Sequence, residues 1–222
     1  MIKKISSTIL VLGAIIGTAY AGTFYGGPAS SNKFIPKVGV QYTVLKTPYK
    51  ANTVTEFMSF YCPHCYNYEM VYDIPEKVRA GLPKGAIFNQ YTVNFFKMQS
   101  VELSRAWSMA QAYGYTSKVE KPMYTAVING QIASMKDIKE IFVENGVTAS
   151  EFDSEINSKR TNAIVQKQLY FNKVYNINET PTFIVDGKYQ INPEGFKNVN
   201  SYQEFAKEFS ETVVYLLKNK TS

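Results

Sequence analysis

Thr53 to Phe60 is rich in β-branched and aromatic residues, eight positions long, and predicts a central strand. Immediately beyond it the period changes. Cys65, Tyr68 and Tyr72, then Val78 and Leu82 past an interruption at Pro75, recur at helical spacing. Pro83-Lys84-Gly85 punctuates the chain, and Ala86 to Phe95 returns to a strand pattern. Together these segments predict a βαβ unit whose first strand-to-helix turn carries Cys62-Pro63-His64-Cys65. A weaker alternation over Val38–Val44 predicts an edge strand.

The next stretch is helical throughout. Leu103, Ala106, Trp107, Ala110 and Tyr113 form one apolar stripe, stopped by Gly114, and Val119, Met123, Ala126 and Val127 form a second. Ser134 caps a third helix with Ile138, Ile141 and Phe142, ending at Gly146. Thr148 and Glu151 fit a capping box that opens one longer helix through Phe152, Ile156, Ala163 and Ile164 toward Tyr170 and Val174. Strand signals resume after Glu179: Thr182–Val185, the turn Asp186-Gly187, and Lys188–Ile191 predict a hairpin. Tyr202–Leu217 closes the chain as an amphipathic helix. The pattern is therefore a βαβ half, a helical block and a ββα half. It predicts an α/β domain over 38–96 and 172–222 with an inserted helical subdomain over 97–171.

The N-terminus reads differently. Lys3 and Lys4 precede an apolar run from Ile9 to Ile16, and Ala19-Tyr20-Ala21 offers a small-residue cleavage site. That is a signal-peptide pattern over residues 1–21, too short to span a bilayer, and it predicts export to an oxidising compartment with cleavage after Ala21. Residues 22–37, rich in Gly, Ser and Pro, read as a flexible leader. Loss of two lysines with the signal takes the net charge from +6 to +4, and Lys33, Lys37, Lys46 and Lys50 account for all of it. No basic stripe with interleaved aromatics survives in the folded part, which argues against a nucleic-acid partner.

The chain has two cysteines and one histidine, all within residues 62–65. A structural zinc site needs four ligands, and covalent haem attachment needs His where Tyr66 stands. No metal or other cofactor is expected. A permanent disulfide would close a loop of two intervening residues and so restrain the unfolded chain little. A redox-active dithiol at a helix start fits best. Cys62 would meet free backbone N–H groups and the positive end of the helix dipole, which favour a thiolate; Cys65, one turn in, would be more buried. Pro63 lacks an N–H that the first turn does not need, and His64 can place positive charge beside the sulfur. An ordinary thiol near pKa ~8.5 is only about 3% thiolate at pH 7. Each unit lost by Cys62 makes the couple more oxidising by about 30 mV. The expected direction is a thiol oxidant.

Glu56-Phe57-x-Ser59-Phe60-x-Cys62-Pro63-His64-Cys65-Tyr66 and Asp186-Gly187-Lys188-Tyr189-Gln190-x-Asn192-Pro193-x-Gly195 resemble the DsbA-type thiol:disulfide oxidoreductases. The resemblance covers nearly all of residues 38–218 and implies a thioredoxin fold with an inserted α-helical subdomain. It implies that Thr180-Pro181 is a cis-proline loop presenting backbone groups to a bound peptide. It implies that Glu56 is a buried acid assisting proton transfer at Cys65. A lysine that often accompanies this acid in the family is replaced by Gln90, which should raise the pKa of a buried Glu56. Implied partners are unfolded exported proteins with free thiols, bound by an apolar groove, and a DsbB-type membrane quinone oxidoreductase for re-oxidation. The implied location is the periplasm, and a monomer is expected. Rival readings are a disulfide isomerase or reductase of the same fold, for which 22–37 is too short to be a dimerisation domain, and a non-enzymatic chaperone or binding protein.

Overall fold

A computed structural model describes residues 34–46, 49, 51–97 and 99–219. The expected signal peptide with its cleavage site, and residues 22–33 of the expected leader, lie outside these. The last leader residues do not behave as a free arm: Phe34 packs against Phe196 at 6.5 Å between ring centroids, and Pro36 is buried.

The sheet has the order β1-β5-β4-β2-β3, built from β1 (Tyr42–Val44), β2 (Thr53–Met58), β3 (Ile87–Thr92), β4 (Thr182–Val185) and β5 (Tyr189–Ile191). β2 pairs parallel with β3 and antiparallel with β4, so it is central, and its residues from Val54 to Met58 are all buried. Alternation then sends its side chains into different cores. Val54 joins Val78, Phe183, Phe209 and Val213, beneath α2 (Ile74–Gly81) and α8 (Tyr202–Lys218). Phe57, on the opposite face, packs with Tyr91 and Ile184. The β4–β5 turn places Asp186 and Gly187 at φ 52° and 62°, the two positive values that a tight hairpin turn of this hand requires. Gly195 serves another need. A Cβ there would stand 2.2 Å from the Val40 carbonyl oxygen, so only glycine lets this segment seal the β1 edge.

Between β3 and β4 the chain forms α3 (Ser100–Tyr113), α4 (Thr116–Ile128), α5 (Met135–Glu144), α6 (Ala149–Glu155) and α7 (Lys159–Val174). Their core holds Trp107, Met123, Tyr124, Phe142 and Phe152, and it is continuous with Met58, Phe60, Cys62 and Cys65. The single long helix expected after Thr148 is in fact two. Both capping groups of the Thr148/Glu151 box are present, but Ser158 breaks the run by accepting from Thr161 N–H as a second N-cap. α7 then buries Gln168, not the purely apolar stripe the periodicity suggested. Gln168 accepts from Thr92 N–H at 3.3 Å and donates to Ser104 Oγ at 2.8 Å, tying the helical block to the end of β3.

Candidate active site

The chain leaves β2 through a tight turn closed by Cys62 N–H donating to Ser59 O at 3.0 Å. Cys62 then caps α1 (Pro63–Tyr66), with Pro63 in the first helical position. α1 is a single turn that widens into a π-helical turn, Asn67–Val71, before Asp73 (φ 54°) bends the chain into α2. The helix behind Cys62 is thus short, and the local N–H groups carry what a long macrodipole was expected to supply.

Both cysteines are free and buried, Cys62 at 4% exposure and Cys65 at 0%. Cys65 N–H donates to Cys62 Sγ at 3.3 Å, and the Cys62 thiol donates to Thr180 O at 3.3 Å. These neighbours pull the two sulfurs apart in acidity. Cys62 is lowered to about 6, first by the Cys65 thiol, then by Thr180 and by the backbone N–H groups of Cys65 and His64, which together outweigh its burial. At that value roughly 90% of Cys62 is thiolate at pH 7. Burial pushes Cys65 well up, and the Cys62 sulfur beside it pushes further. The His64 side chain, expected to contribute its charge, is exposed; what His64 brings to the sulfur is its backbone N–H.

Thr180–Pro181 is cis and lies against Cys62 although 118 residues separate them in sequence. Thr180 Oγ1 is buried and has no hydrogen-bond partner. Lys97 Nζ lies 4.9 Å from the centre of the Tyr61 ring, which brings the β3–α3 loop next to the residue preceding Cys62. That loop exposes two stacked rings, Phe95 at 50% and Phe96 at 41%. The strand pattern runs to Phe95, but β3 ends at Thr92, so Phe95 stands with Phe96 in the loop beyond it.

Glu56 is fully buried. Its strand neighbour in register is Gln90, whose Nε2 donates to Glu56 Oε2 at 3.1 Å and also to Glu69 Oε1. Arg79 donates to Gln90 Oε1 at 2.6 Å, so the cation reaches Glu56 only through an amide. Burial raises Glu56 to about 7, against the lowering effect of its hydrogen bonds to Glu69 and Gln90. Glu56 is thus raised, as expected, but by burial; the Gln90 hydrogen bond itself works the other way. Glu69 and Glu120, pushed upward mainly by burial, also meet here and were missed. Glu69 had a signal, since it follows Cys65 by four residues and so shares its helical face; Glu120 comes from α4 and had none.

Among the described residues, no group of three or more His, Cys, Asp or Glu is arranged to hold a metal ion. No helix among them is long and apolar enough to cross a membrane.

A family model described as thioredoxin matches residues 48–204. The thiol:disulfide interchange protein DsbA of Haemophilus influenzae is 40% identical over 210 residues, covering 95% of this chain and 98% of its own. DsbA of Escherichia coli is 35% identical over 208 residues, covering 92% and 99%. Among solved structures, a Proteus mirabilis DsbA with a non-covalently bound peptide matches with a TM-score of 0.80 at 34% identity. That match covers 84% of this chain and 100% of that one.

Proposed function

The chain belongs to the DsbA family of thiol:disulfide oxidoreductases, with a thioredoxin fold and an inserted helical subdomain, and from that membership we propose how its residues divide the work. The enzyme exchanges its own Cys62–Cys65 disulfide with substrate proteins that carry thiols. In the oxidised enzyme Cys62 is the sulfur attacked. A substrate thiolate forms a bond to Cys62 Sγ, the Cys62–Cys65 bond breaks, and its electron pair leaves on Cys65. Glu56 supplies the proton that makes Cys65 a thiol. A second substrate thiolate then attacks the substrate sulfur of the mixed disulfide, and Cys62 departs as a thiolate. The substrate leaves with a disulfide, and the enzyme keeps two electrons and a proton.

The acidity of Cys62 carries this reading. A thiolate stabilised by Cys65, Thr180 and two backbone N–H groups is a good leaving group and favours the reduced enzyme, hence oxidation of the substrate. Pro63 leaves the first turn without a competing donor, and His64 adds its N–H. Thr180 and Pro181 form the platform along which an extended client lies. Phe95 and Phe96, exposed on the loop whose Lys97 meets Tyr61, offer it apolar contact. The peptide-bound Proteus mirabilis relative supports a peptide-binding face in this family.

The finer assignments belong to the same proposal. The protein works in the periplasm as a monomer after removal of residues 1–21, and a DsbB-type membrane quinone oxidoreductase takes up its electrons. Equilibration of the mature protein with a graded glutathione buffer, reading the state of Cys62–Cys65, is the test. An oxidising potential together with loss of turnover in Cys62→Ala is the expected result. A potential as reducing as thioredoxin's would refute disulfide donation, and full activity in Cys62→Ala would leave only a binding role.

A further inference from the structure

β2 runs toward Cys62 and β3 runs beside it in the same sense, while the antiparallel steps β2–β4, β4–β5 and β5–β1 bring the start of β1 to that same end of the sheet. The segment entering β1 and the loop leaving β3 therefore flank the dithiol, one at each edge. At about 4.8 Å per strand, β1 stands roughly 14 Å from β2 and roughly 19 Å from β3. The entering segment folds into a turn in which Lys37 O accepts from Val40 N–H at 3.2 Å and from Gln41 N–H at 3.1 Å. Ile35, Val38 and Val40 stand on it at 60%, 62% and 43% exposure, and Lys37 between them is also exposed.

Hydrogen bonds hold this turn in place. Lys37 N–H donates to Gln41 Oε1 at 3.0 Å, Gln41 Nε2 donates to Gly195 O at 3.0 Å, and Asn192 Nδ2 donates to Val40 O at 2.8 Å. The polar groups are committed to this anchorage and the apolar side chains are left facing water, an exposure that marks a contact surface. The charge is one-sided. Residues 34–55 hold Lys37, Lys46 and Lys50 and no Asp or Glu. Glu194, an acid on the segment packed against the turn, is paired with Lys197. At the opposite edge of the sheet the pattern recurs: Phe95 and Phe96 are exposed and are followed by an exposed Lys97.

We propose that the catalytic end of the sheet rests on an anionic lipid bilayer, with Ile35, Val38 and Val40 entering the headgroup region and Lys37 meeting lipid phosphates. Two apolar footholds separated by the width of the sheet, each beside a lysine, match a flat charged surface; an extended peptide runs along one groove and meets only one of them. Interfacial binding of this kind adds buried apolar area to attraction for anionic lipid. So few side chains give a weak, reversible contact, which leaves Cys62 open to clients in the unbound protein. The contact turns the dithiol toward the membrane that re-oxidises it under the function proposed above. It does not depend on that reading, because it uses neither sulfur.

The test is flotation of the mature protein with vesicles of phosphatidylglycerol and phosphatidylethanolamine, and with vesicles of phosphatidylcholine alone. Wild type should float with the first and not with the second, and raised salt should release it. Val38→Ser/Val40→Ser should weaken partitioning about tenfold through lost apolar burial. Lys37→Glu should weaken it roughly 25-fold, at about fivefold for each unit of charge. Both variants should oxidise a soluble thiol peptide at the wild-type rate without vesicles, which shows that they are folded. Cys62→Ala should float as wild type does, so that failure of disulfide donation and failure of this contact are read separately. Equal flotation on both kinds of vesicle, or wild-type flotation in both variants, overturns the proposal. A wild type that stays off the anionic vesicles also overturns it; if Val38→Ser/Val40→Ser then slows re-oxidation by a detergent-solubilised membrane quinone oxidoreductase, the turn docks on protein instead.

Discussion

Replacing Thr180 by valine removes a hydroxyl and keeps the shape, and the structure gives the effect a sign. Thr180 touches Cys62 in two ways. Its carbonyl accepts the Cys62 thiol at 3.3 Å, a contact that favours the protonated sulfur and survives in the variant. Its hydroxyl, buried without a hydrogen-bond partner, is free to donate to the thiolate and helps hold Cys62 down. Thr180→Val therefore withdraws support from the charged form alone. A hydrogen bond of this kind contributes about 1 kcal/mol net, equivalent to roughly 0.7 of a pKa unit. From about 6, that shift leaves roughly two-thirds of Cys62 as thiolate at pH 7 and makes the couple less oxidising by about 20 mV. Ultraviolet absorbance of the thiolate, followed across pH, measures the first quantity, and glutathione equilibration measures the second. The two must move together. A Cys62 pKa that stays in place or falls, or a potential that rises, would show that the hydroxyl does not stabilise the thiolate.

Cys65→Ala should raise the Cys62 pKa, since the Cys65 thiol is the largest influence lowering it, and should accumulate mixed disulfide when offered a disulfide-bearing peptide, because Cys62 attacks it, one substrate thiolate leaves, and no Cys65 remains to resolve the product; non-reducing gels show it. Glu56 is raised to about 7, so its contribution to stability is fully present below its unfolded value near 4.5 and is lost as pH climbs through 7. In the oxidised protein, where Cys62 does not titrate, Glu56→Gln should thus gain stability over wild type at pH 8, by as much as ~3 kcal/mol, and little at pH 4. Denaturant melts at the two pH values decide it, and an equal effect at both would contradict the assignment. Gln168→Leu leaves Thr92 N–H without its buried acceptor, while Ser104 Oγ keeps only Thr92 Oγ1, and should cost about 1–3 kcal/mol in the same melts, with the Cys62 pKa unchanged.

What the sequence disclosed follows the range of the interaction. β2, the turn into α1 and the β4–β5 hairpin rest on local residue chemistry, and each was legible to within a few positions. The break at Ser158 was not, because the apolar positions from Phe152 to Val174 keep one period while a capping serine interrupts the backbone between them. Gln168 and Glu120 were also unreadable. A polar residue on a helix is ordinarily assigned to solvent, and only the packing of the helical block against β3 and β2 turns these two inward. Glu56 and Gln90 were reached through family resemblance, since a lone glutamate in a strand carries no sign of which face is buried.

The divergence of the two sulfurs also bears on direction. A mixed disulfide at Cys62 can go forward, by attack of a second substrate thiolate, or back, by attack of Cys65 on Cys62. The backward step needs Cys65 as a thiolate, and burial holds it as a thiol. The forward step expels Cys62, whose low pKa makes it the better leaving group. An acid beside Cys65 that protonates it quickly closes the backward route sooner after each attack. By this logic Glu56 does more than ease a proton transfer. Its half-protonated state near pH 7 allows it to supply the proton after substrate attack and to accept it again when the enzyme is re-oxidised. A lysine at position 90 would pull Glu56 toward full ionisation and weaken the first of those roles. Gln90→Lys should therefore lower the Glu56 pKa and increase the fraction of mixed disulfides that revert to reduced substrate, a ratio that quenched-flow sampling with a two-thiol peptide can read.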